Sequence, residues 1–392
     1  MTVPTATPVV PTVRIGIVGG GLMGREIAAA IQRWPALVDH PVRPRLVAVA
    51  DINPAALEWF SQIDTVTQRV TDYQELLANP DVDVVYVAVR HDLHEQMYVD
   101  TVRAGKDLFA EKPFGIDRAA AESVLAAIAE SGRFVRVSSE MPFFPGAQAA
   151  IHMVTSGRIG RLVEVQSSFL HSSDYHPDKP VSWKRQVAAC GEAGVMNDLG
   201  LHAWHVPLRL GLEPSRVFGL LQDLVPHRPG PDSSLVPCDT IENATVMAWV
   251  PSGGTPPAGG GGDTEAVLRV ETKRIAPGEK NTWVLRAVGM DGAVEFSTAD
   301  TKSVRLLERT NADPSWQLLQ TGSQSVWPTV TGPIFEFGFS DAILQMWAAF
   351  LAERAGLLGD RFGCATPQEA TYTHRIYDAA WASHRTGSAT AP

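Results

Sequence analysis

The segment Gly19–Gly24 (GGGLMG) constrains the fold more than any other part of this sequence. It is a GxGxxG pattern, and it lies between two segments of opposite character. The apolar run Val13–Val18 predicts a strand, and the spacing of apolar residues over Leu22–Arg33 predicts a helix. A strand, a glycine-rich turn and a helix in this order are typical of a dinucleotide-binding unit.

Each glycine of the pattern has a physical reason. Gly19 permits the tight turn, Gly21 lets the backbone approach a pyrophosphate, and Gly24 allows close packing of helix on strand. The first helical turn, with Leu22 and Met23, then offers free N–H groups to the phosphates. A glycine-rich turn that binds nothing is the alternative interpretation.

The first third of the chain alternates between apolar runs and helical patterns. The runs are short and nearly unbroken, as expected of strands covered on both faces. After Val13–Val18 they are Leu46–Ala50, Val82–Val89, Leu108–Ala110 and Phe134–Ser138. This order predicts βαβ units with a parallel sheet, hence an α/β Rossmann domain over residues 12–140. Residues 1–11 are expected to be a disordered leader and not a signal peptide.

The pattern changes beyond residue 140. Strand-like runs between residues 162 and 308 alternate polar and apolar side chains, and helical patterns over 340–357 and 366–384 close the chain. Residues 141–392 are therefore expected to form an α+β substrate-binding and oligomerisation domain with a large, mostly antiparallel open sheet. The Gly/Pro-rich stretch Pro251–Asp263 is expected to be a flexible hairpin tip. The sequence leaves open whether the C-terminal helices pack back on the first domain.

Composition excludes several classes of protein. The net charge is −10, from 33 basic and 43 acidic residues, and no Lys/Arg run occurs, which argues against a nucleic-acid partner. Three widely spaced cysteines fit neither a disulfide framework nor a zinc ribbon, so we expect a reducing cytoplasm. No apolar stretch reaches the ~18 residues of a membrane span.

Asp51 follows the second predicted strand, where a carboxylate accepts hydrogen bonds from a ribose 2′-hydroxyl. The same carboxylate repels a 2′-phosphate. The residue therefore favours NAD over NADP as the cofactor. The alternative is an aspartate that caps the following helix, in which Pro54 suits the first turn.

Several segments match one known family in order along the chain. They are Val82–His94, Ala104–Pro113 (AGKDLFAEKP), Gly157–Gly160 (GRIG), Gly194–His202 (GVMNDLGLH) and Val288–Phe296 (VGMDGAVEF). Together they resemble the Gfo/Idh/MocA family, which includes glucose-fructose oxidoreductase and inositol dehydrogenase. The resemblance implies a Rossmann domain followed by an α+β domain with an open sheet, in agreement with the residue patterns.

The resemblance also implies functional residues. It assigns catalysis to Lys112, Asp198 and His202, with the lysine near the nicotinamide ribose and the substrate hydroxyl, and the histidine as proton acceptor. Further expected cofactor contacts are Arg90, His94, Glu111 and Lys112.

Physical chemistry agrees with these roles. Asp198 and His202 are four residues apart, so on a helix they share one face. A histidine, with a reference pKa of about 6.5, suits removal of a hydroxyl proton near neutrality. The ammonium of Lys112 would favour a developing alkoxide. The alternatives are a helix N-cap for Asp198, a core histidine for His202 and a surface lysine for Lys112.

The chain departs from the family where substrate contacts are expected. Pro142 stands where arginine is common, and His205 stands where aspartate is frequent. We expect Trp183, Lys184 and His205 to be candidates for substrate contact, with a plain surface loop as the alternative for the first two. These departures prevent any transfer of substrate identity.

Departures also occur next to the expected cofactor. Arg90 and His91 replace the usual proline and asparagine of the family. The pairs His91/His94 and His202/His205 have i, i+3 spacing, but no third ligand is evident, so we expect no metal.

The leading hypothesis is an NAD-dependent dehydrogenase acting on a secondary alcohol of a sugar, sugar derivative or cyclic polyol. One alternative is a sugar lyase or hydrolase that recycles its NAD. Another is a non-catalytic NAD-binding regulator, which usually lacks the lysine and histidine. The expected partners are a small carbohydrate or polyol and further copies of the chain, in a dimer or tetramer.

Overall fold

The computed structural model describes residues 10–253, 264–309, 313–322 and 324–392. The expected leader 1–11 and hairpin tip 251–263 lie largely outside this described part. Among the described helices, none combines the length and apolar composition that a bilayer crossing demands.

The first domain contains six strands and five helices. The strands are β1 (Thr12–Val18), β2 (Arg43–Ala50), β3 (Gln68–Val70), β4 (Val84–Val87), β5 (Asp107–Ala110) and β6 (Val135–Val137). The helices are α1 (Leu22–Gln32), α2 (Pro54–Glu58), α3 (Tyr73–Leu77), α4 (His94–Arg103) and α5 (Arg118–Ser131).

These strands form one parallel sheet in the order β3-β2-β1-β4-β5-β6. All four residues of β4 are buried, which confirms the prediction of strands covered on both faces. The order reverses direction between β1 and β4, and this is the point where doubly wound sheets bind ligands. The polar edge strand β3 was not predicted, because it has no apolar run.

The remaining elements form the second domain. Its strands are β7 (Leu162–Leu170), β8 (Arg216–Gln222), β9 (His227–Pro229), β10 (Leu235–Pro237), β11 (Asn243–Pro251), β12 (Glu265–Lys273), β13 (Thr282–Gly289), β14 (Gly292–Ser297), β15 (Asp300–Glu308) and β16 (Gln317–Gln320). Its helices are α6 (Pro145–Thr155), α7 (Val187–Cys190), α8 (Val195–Arg209), α9 (Phe339–Arg354) and α10 (Pro367–Thr386).

Eight of these strands form a sheet in the order β16-β15-β14-β13-β7-β12-β11-β8, in which only β7 and β12 run parallel. The prediction of a large, mostly antiparallel sheet is confirmed. Along β12 the side chains alternate between buried and half-buried, so α8 covers one face and the other is open.

Helix α8 is buried on every side, from Val195 to Leu208. It packs on β7 and β12, and its first turn faces the first domain. A helix buried all round shows no amphipathic stripe, so periodicity alone does not reveal it.

Helix α9 lies far along the chain but packs on the first domain. It contacts α1, and Phe350 stacks on Phe109 of β5 with ring centroids 4.3 Å apart. Arg354 at its end pairs with Asp107 at 2.8 Å. The two domains consequently share one continuous hydrophobic core.

Candidate active site

A cleft of about 1250 Å³ opens where the carboxyl ends of the parallel strands meet the second domain. The first domain contributes residues that follow β1, β2, β4 and β5. The second contributes the end of β7, the segment before α7, the first half of α8 and the residue after β12. This edge is the expected ligand site of a doubly wound sheet.

The glycine-rich turn forms one wall of the cleft. Gly19 has a φ of 102°, which favours glycine, and a Cβ there would clash with a neighbouring carbonyl oxygen. A Cβ on Gly24 would clash with the carbonyl of Gly19. At Gly21 a Cβ would meet no protein atom within 4 Å, and Gly21, Leu22 and Met23 line the cleft. The turn therefore leaves an open cradle in front of the N-terminus of α1.

Asp51 lies at the end of β2 and also lines the cleft. Its Oδ2 accepts from the backbone N–H of Gly20 at 2.7 Å, and its Oδ1 accepts from that of Asn53 at 2.8 Å. Asn53, and not Asp51, caps α2. The carboxylate thus holds the glycine-rich turn in place and retains acceptor capacity toward the cleft.

The structure separates the other expected cofactor residues. Arg90 lines the cleft and pairs with Asp92 at 2.6 Å, and Glu111 lines it with a hydrogen bond from the Tyr86 hydroxyl. His94 is fully buried, and its two ring nitrogens lie 2.7 and 3.1 Å from backbone carbonyl oxygens. The expectation of a cofactor contact for His94 is therefore corrected, because its ring is buried, does not line the cleft and faces backbone carbonyl oxygens with both nitrogens.

Lys112 and Asp198 connect the two walls of the cleft. Lys112 follows β5, whereas Asp198 lies in the first turn of α8. The Lys112 Nζ donates to the backbone oxygen of Asp198 at 2.6 Å and to its Oδ1 at 3.2 Å. Although burial lowers the pKa of Lys112, the carboxylates of Asp198, Glu111 and Glu140 raise it above its ordinary value. The side chain therefore remains an ammonium.

Two further cations share the Asp198 carboxylate. Lys184 Nζ lies 2.8 and 3.0 Å from its two oxygens, and Arg274 Nη2 lies 3.1 Å from Oδ2. Burial alone would raise the pKa of Asp198, but Lys184, Lys112 and Arg274 hold it well below its usual range. Asp198 is consequently an ionised hub for three positive side chains.

His202 lies one turn beyond Asp198 on α8 and lines the cleft, as the i, i+4 spacing predicts. The indole N–H of Trp283 donates to its backbone carbonyl at 2.7 Å, and its ring packs edge-on to Phe169 at 5.0 Å. The ring atom Nδ1 lies 3.7 Å from Oε2 of Glu140. The backbone and the ring are both held, and Nδ1 faces a carboxyl group.

Burial shifts the pKa of both members of this pair. It raises the pKa of Glu140 to about 7, with a further contribution from Glu111. It also lowers the pKa of His202 well below its ordinary value, as does the positive charge of Lys112. Near neutral pH the imidazole is therefore uncharged, and the carboxyl group beside it titrates.

The three candidates for substrate contact have different surroundings. Trp183 and Lys184 line the cleft, with Trp183 edge-on to His91 at 4.8 Å. His205 is fully buried against Phe362, away from the cleft, and burial lowers its pKa to about 3. The expectation of a substrate contact for His205 is corrected, because it lies nearly a full turn beyond His202, where α8 is buried against Phe362 and no longer lines the cleft.

Sequence reasoning missed Glu140 and Arg274. Each follows a strand, β6 or β12, at the cleft edge, and a charged residue at that place was the available signal.

Within the described residues, no group of three or more His, Cys, Asp or Glu side chains is arranged to hold a metal ion. The expectation of no metal stays a prediction.

Two parts of the chain match sequence profiles of one family. Residues 13–139 match the profile described as an oxidoreductase family with an NAD-binding Rossmann fold, and residues 147–294 match the GFO/IDH/MocA C-terminal domain. The chain belongs to the Gfo/Idh/MocA family. The matched segments include the glycine-rich turn and α8, so family membership extends to both walls of the cleft.

Individual members of the family are distant relatives. Levoglucosan dehydrogenase of Pseudarthrobacter phenanthrenivorans is 23% identical over 342 residues, which cover 83% of this chain and 81% of that protein. Trans-1,2-dihydrobenzene-1,2-diol dehydrogenase of Mus musculus is 28% identical over 189 residues, which cover 48% of this chain and only 53% of that protein. A solved structure of levoglucosan dehydrogenase in complex with NADH has a TM-score of 0.85 at 21% identity, covering 97% of this chain and 99% of that one. These similarities confirm the fold.

The Asp198 hub predicts a pH-dependent contribution to stability. Asp198→Asn should lower the free energy of unfolding at pH 7 by about 3–5 kcal/mol, because three cations lose their shared carboxylate. Since the folded-state pKa of Asp198 is depressed, its contribution is present above the unfolded-state pKa of about 3.9. This contribution is lost as the pH falls further, so the difference in the free energy of unfolding between wild type and Asp198→Asn should become smaller at low pH. Urea denaturation at several pH values measures it.

The matched control is Asp81→Asn. Asp81 also pairs with an arginine, but its side chain is 74% exposed, so the change should stay within about 1 kcal/mol. Equal losses in the two variants, or a loss at Asp198 that is independent of pH, would contradict the assignment of the hub.

Proposed function

We propose that this chain is an NAD-dependent oxidoreductase that moves a hydride between the nicotinamide and a secondary alcohol or ketone of a sugar, a sugar derivative or a cyclic polyol. The observation that carries the proposal is a single cleft that contains the glycine-rich turn together with Lys112, Asp198 and His202. The relatives named above are dehydrogenases, which supports net oxidation over the lyase, hydrolase and regulator alternatives.

The residues of the first wall fit NAD. The open space at Gly21 and the free N–H groups at the start of α1 suit a pyrophosphate. The Asp51 carboxylate suits a ribose 2′-hydroxyl and would repel a 2′-phosphate, so we propose NAD over NADP. Leu22, Met23, Arg90 and Glu111 complete the wall. When bound, NAD supplies the hydride acceptor, and the proton is handled by side chains.

Lys112 and His202 act on the substrate hydroxyl in this proposal. Two N–H bonds of Lys112 are directed to Asp198, and the third, which has no partner among the described residues, can hold the reacting oxygen. The ammonium then stabilises the negative charge that develops there, and Asp198 fixes its direction. His202, neutral because it is buried, accepts the hydroxyl proton at Nε2.

Glu140 acts through His202 as a positioning residue. An imidazole that accepts a proton becomes positive, and this is costly in a buried site beside Lys112. The Glu140 carboxylate, 3.7 Å from Nδ1, offsets the new charge when it is ionised. Because the pKa of Glu140 is raised to about 7, this support is present above neutral pH and is lost below it.

We also propose that copies of the chain associate through the open face of the second-domain sheet. The outward residues of β12, among them Val267 and Glu271, are half-buried, and none of the described helices covers them. The face is wide and mixes apolar with charged side chains, so it suits symmetric pairing with a second copy.

The cysteines bear on the compartment. Cys190, Cys238 and Cys364 are all buried free thiols. Thiols that need no partner are typical of a reducing environment. They support the proposal that the enzyme acts in the cytoplasm.

The cofactor assignment predicts a preference that depends on one side chain. Wild type should use NAD with a higher kcat/KM than NADP, and Asp51→Ser should reduce or reverse that ratio by removing the repulsion of a 2′-phosphate. Fluorescence titration with NADH and NADPH gives the same comparison without a substrate. Equal use of NADP by wild type would contradict the role of Asp51.

The proton acceptor predicts a loss in turnover. His202→Ala should lower kcat by about 10²–10⁴-fold with little change in NADH affinity, since general base catalysis contributes that much. Lys112→Ala should also lower kcat strongly, and the two losses should not add because both residues act on one oxygen. The wild-type oxidation rate should rise with pH through about 7, and Glu140→Gln should abolish that step. Steady-state kinetics on any sugar or polyol oxidised with NAD measures these effects.

His205→Asn is the matched control for this series. His205 is on the same helix and equally buried but does not line the cleft, so its substitution should affect stability more than kcat. Near-wild-type kcat in His202→Ala would place the base elsewhere. A pH step that persists in Glu140→Gln would remove Glu140 from the proposal.

The assembly proposal predicts a particle larger than one chain. Light scattering at micromolar concentration should give the mass of a dimer or tetramer, and Val267→Lys on the open face should lower that mass through like-charge repulsion. A monomer in wild type would contradict the proposal.

A further inference from the structure

On the substrate side of the cleft, three positively charged side chains share one carboxylate. Lys112, Lys184 and Arg274 all contact Asp198, so four side chains carry two excess positive charges. Arg185, another buried cation, pairs instead with a carboxylate of its own, that of Glu242. Uncompensated charge in a buried site is costly, and it is typical of a place where a ligand supplies the balance.

Neighbouring acids offset this positive charge at Lys112 but not at Lys184. Although burial lowers the pKa of Lys112, the carboxylates of Glu111 and Glu140 raise it. Among the described residues, the Asp198 carboxylate is the only one within ion-pair distance of Lys184, which shares it with two other cations. Asp174, on the same wall, is already paired with Lys179 at 3.0 Å. The uncompensated charge therefore lies at Lys184.

The three cations differ in their free donors. Arg274 directs Nε and Nη2 to Asp198 and Nη1 to the backbone oxygen of Lys184, so it faces the protein. Lys184 directs two N–H bonds to Asp198, and its side chain remains 40% exposed to the cleft. Its third N–H has no hydrogen-bond partner in the described part of the chain. Of the cations that share Asp198, Lys184 has the greatest exposure to a ligand.

The charge of Lys184 is itself unfavourable without an anion. Burial lowers its pKa, and although Asp198 raises it, Lys112 and Arg274 lower it further. An anionic group placed at its free N–H would relieve this repulsion. The pyrophosphate of a dinucleotide is not that anion, because its cradle is the glycine-rich turn of the other wall.

We propose that the substrate is a polyol or sugar that bears a carboxylate, and that Lys184 binds this carboxylate beside the reacting hydroxyl held by Lys112. The inference rests on the proposed dehydrogenase function. Lys112 and Lys184 both contact Oδ1 of Asp198, so their ammonium nitrogens lie close together. One can hold a hydroxyl while the other holds a carboxylate oxygen. A phosphate dianion has three acceptor oxygens and would need more hydrogen-bond donors than the one N–H that Lys184 offers.

The test compares matched compounds on the holoenzyme with saturating NAD or NADH. The pairs are D-glucose with D-glucuronate, D-galactose with D-galacturonate and D-glucitol with D-gluconate, and D-glucose 6-phosphate is the phosphate probe. Turnover is measured by NADH absorbance and binding by calorimetry in the presence of NADH. At least one acid should exceed its neutral partner in kcat/KM or affinity by about 10- to 100-fold, as expected for a charge-assisted hydrogen bond.

Variants connect this preference to Lys184. Lys184→Met should reduce the affinity for the acid about 10- to 100-fold and should reduce the affinity for the neutral partner much less. Lys184→Arg keeps the positive charge, so it should retain part of the preference for the acid that Lys184→Met loses. Lys273→Met is the matched control, since Lys273 adjoins Arg274 in sequence but pairs with Glu271 outside the cleft. It should leave the preference unchanged.

Three results would overturn the inference: preference for the neutral compounds, preference for the phosphate, or equal losses for acid and neutral partner in Lys184→Met. The last would mean that Lys184 only orients Asp198. All three results are compatible with the dehydrogenase proposal, provided that NADH binds and a neutral polyol is oxidised. Failure of NADH to bind would instead refute the dehydrogenase proposal.

Discussion

The attraction between the Asp198 carboxylate and its three cations is the interaction on which the site depends. Lys112 comes from the first domain, and Lys184 and Arg274 come from the second, so one buried charge holds both walls of the cleft. The position of Asp198 in the first turn of α8 adds the partial positive charge of a helix N-terminus. Because the same helix carries His202, one element fixes both the electrostatic centre and the expected proton acceptor.

The surroundings of α8 explain how its side chains are held without many hydrogen bonds. The helix is buried on every side, and packing against Phe169 with a bond from Trp283 fixes His202. Its ring atom Nδ1 has no hydrogen-bond partner within the described part of the chain. An imidazole held by packing keeps its nitrogens available, and its burial keeps it neutral.

Local sequence signals were sufficient to predict which residues of the first domain line the cleft. They were insufficient to predict the rest of the cleft. The glycine-rich turn, Asp51 and Lys112 each follow a strand that an apolar run reveals, so their common edge could be predicted from strand order alone. A charged residue after β6 or β12 was the available signal for Glu140 and Arg274, but only the packing of one domain on the other shows that they reach the cleft. The errors at His94 and His205 have the same origin, because only tertiary burial distinguishes a core histidine from one that faces a ligand.

Helix α9 gives the chain an order of assembly that its domain order conceals. Phe350 and Trp347 cover Phe109 of the parallel sheet, and Arg33 of α1 pairs with Asp341. These partners are separated by more than half of the sequence, so the parallel sheet is synthesised long before α9, which packs on it. Until α9 has been synthesised, this aromatic face of the first domain has no cover, so the domain cannot complete its core from its own residues alone. The finished nucleotide-binding domain therefore depends on a helix far downstream of it in the chain.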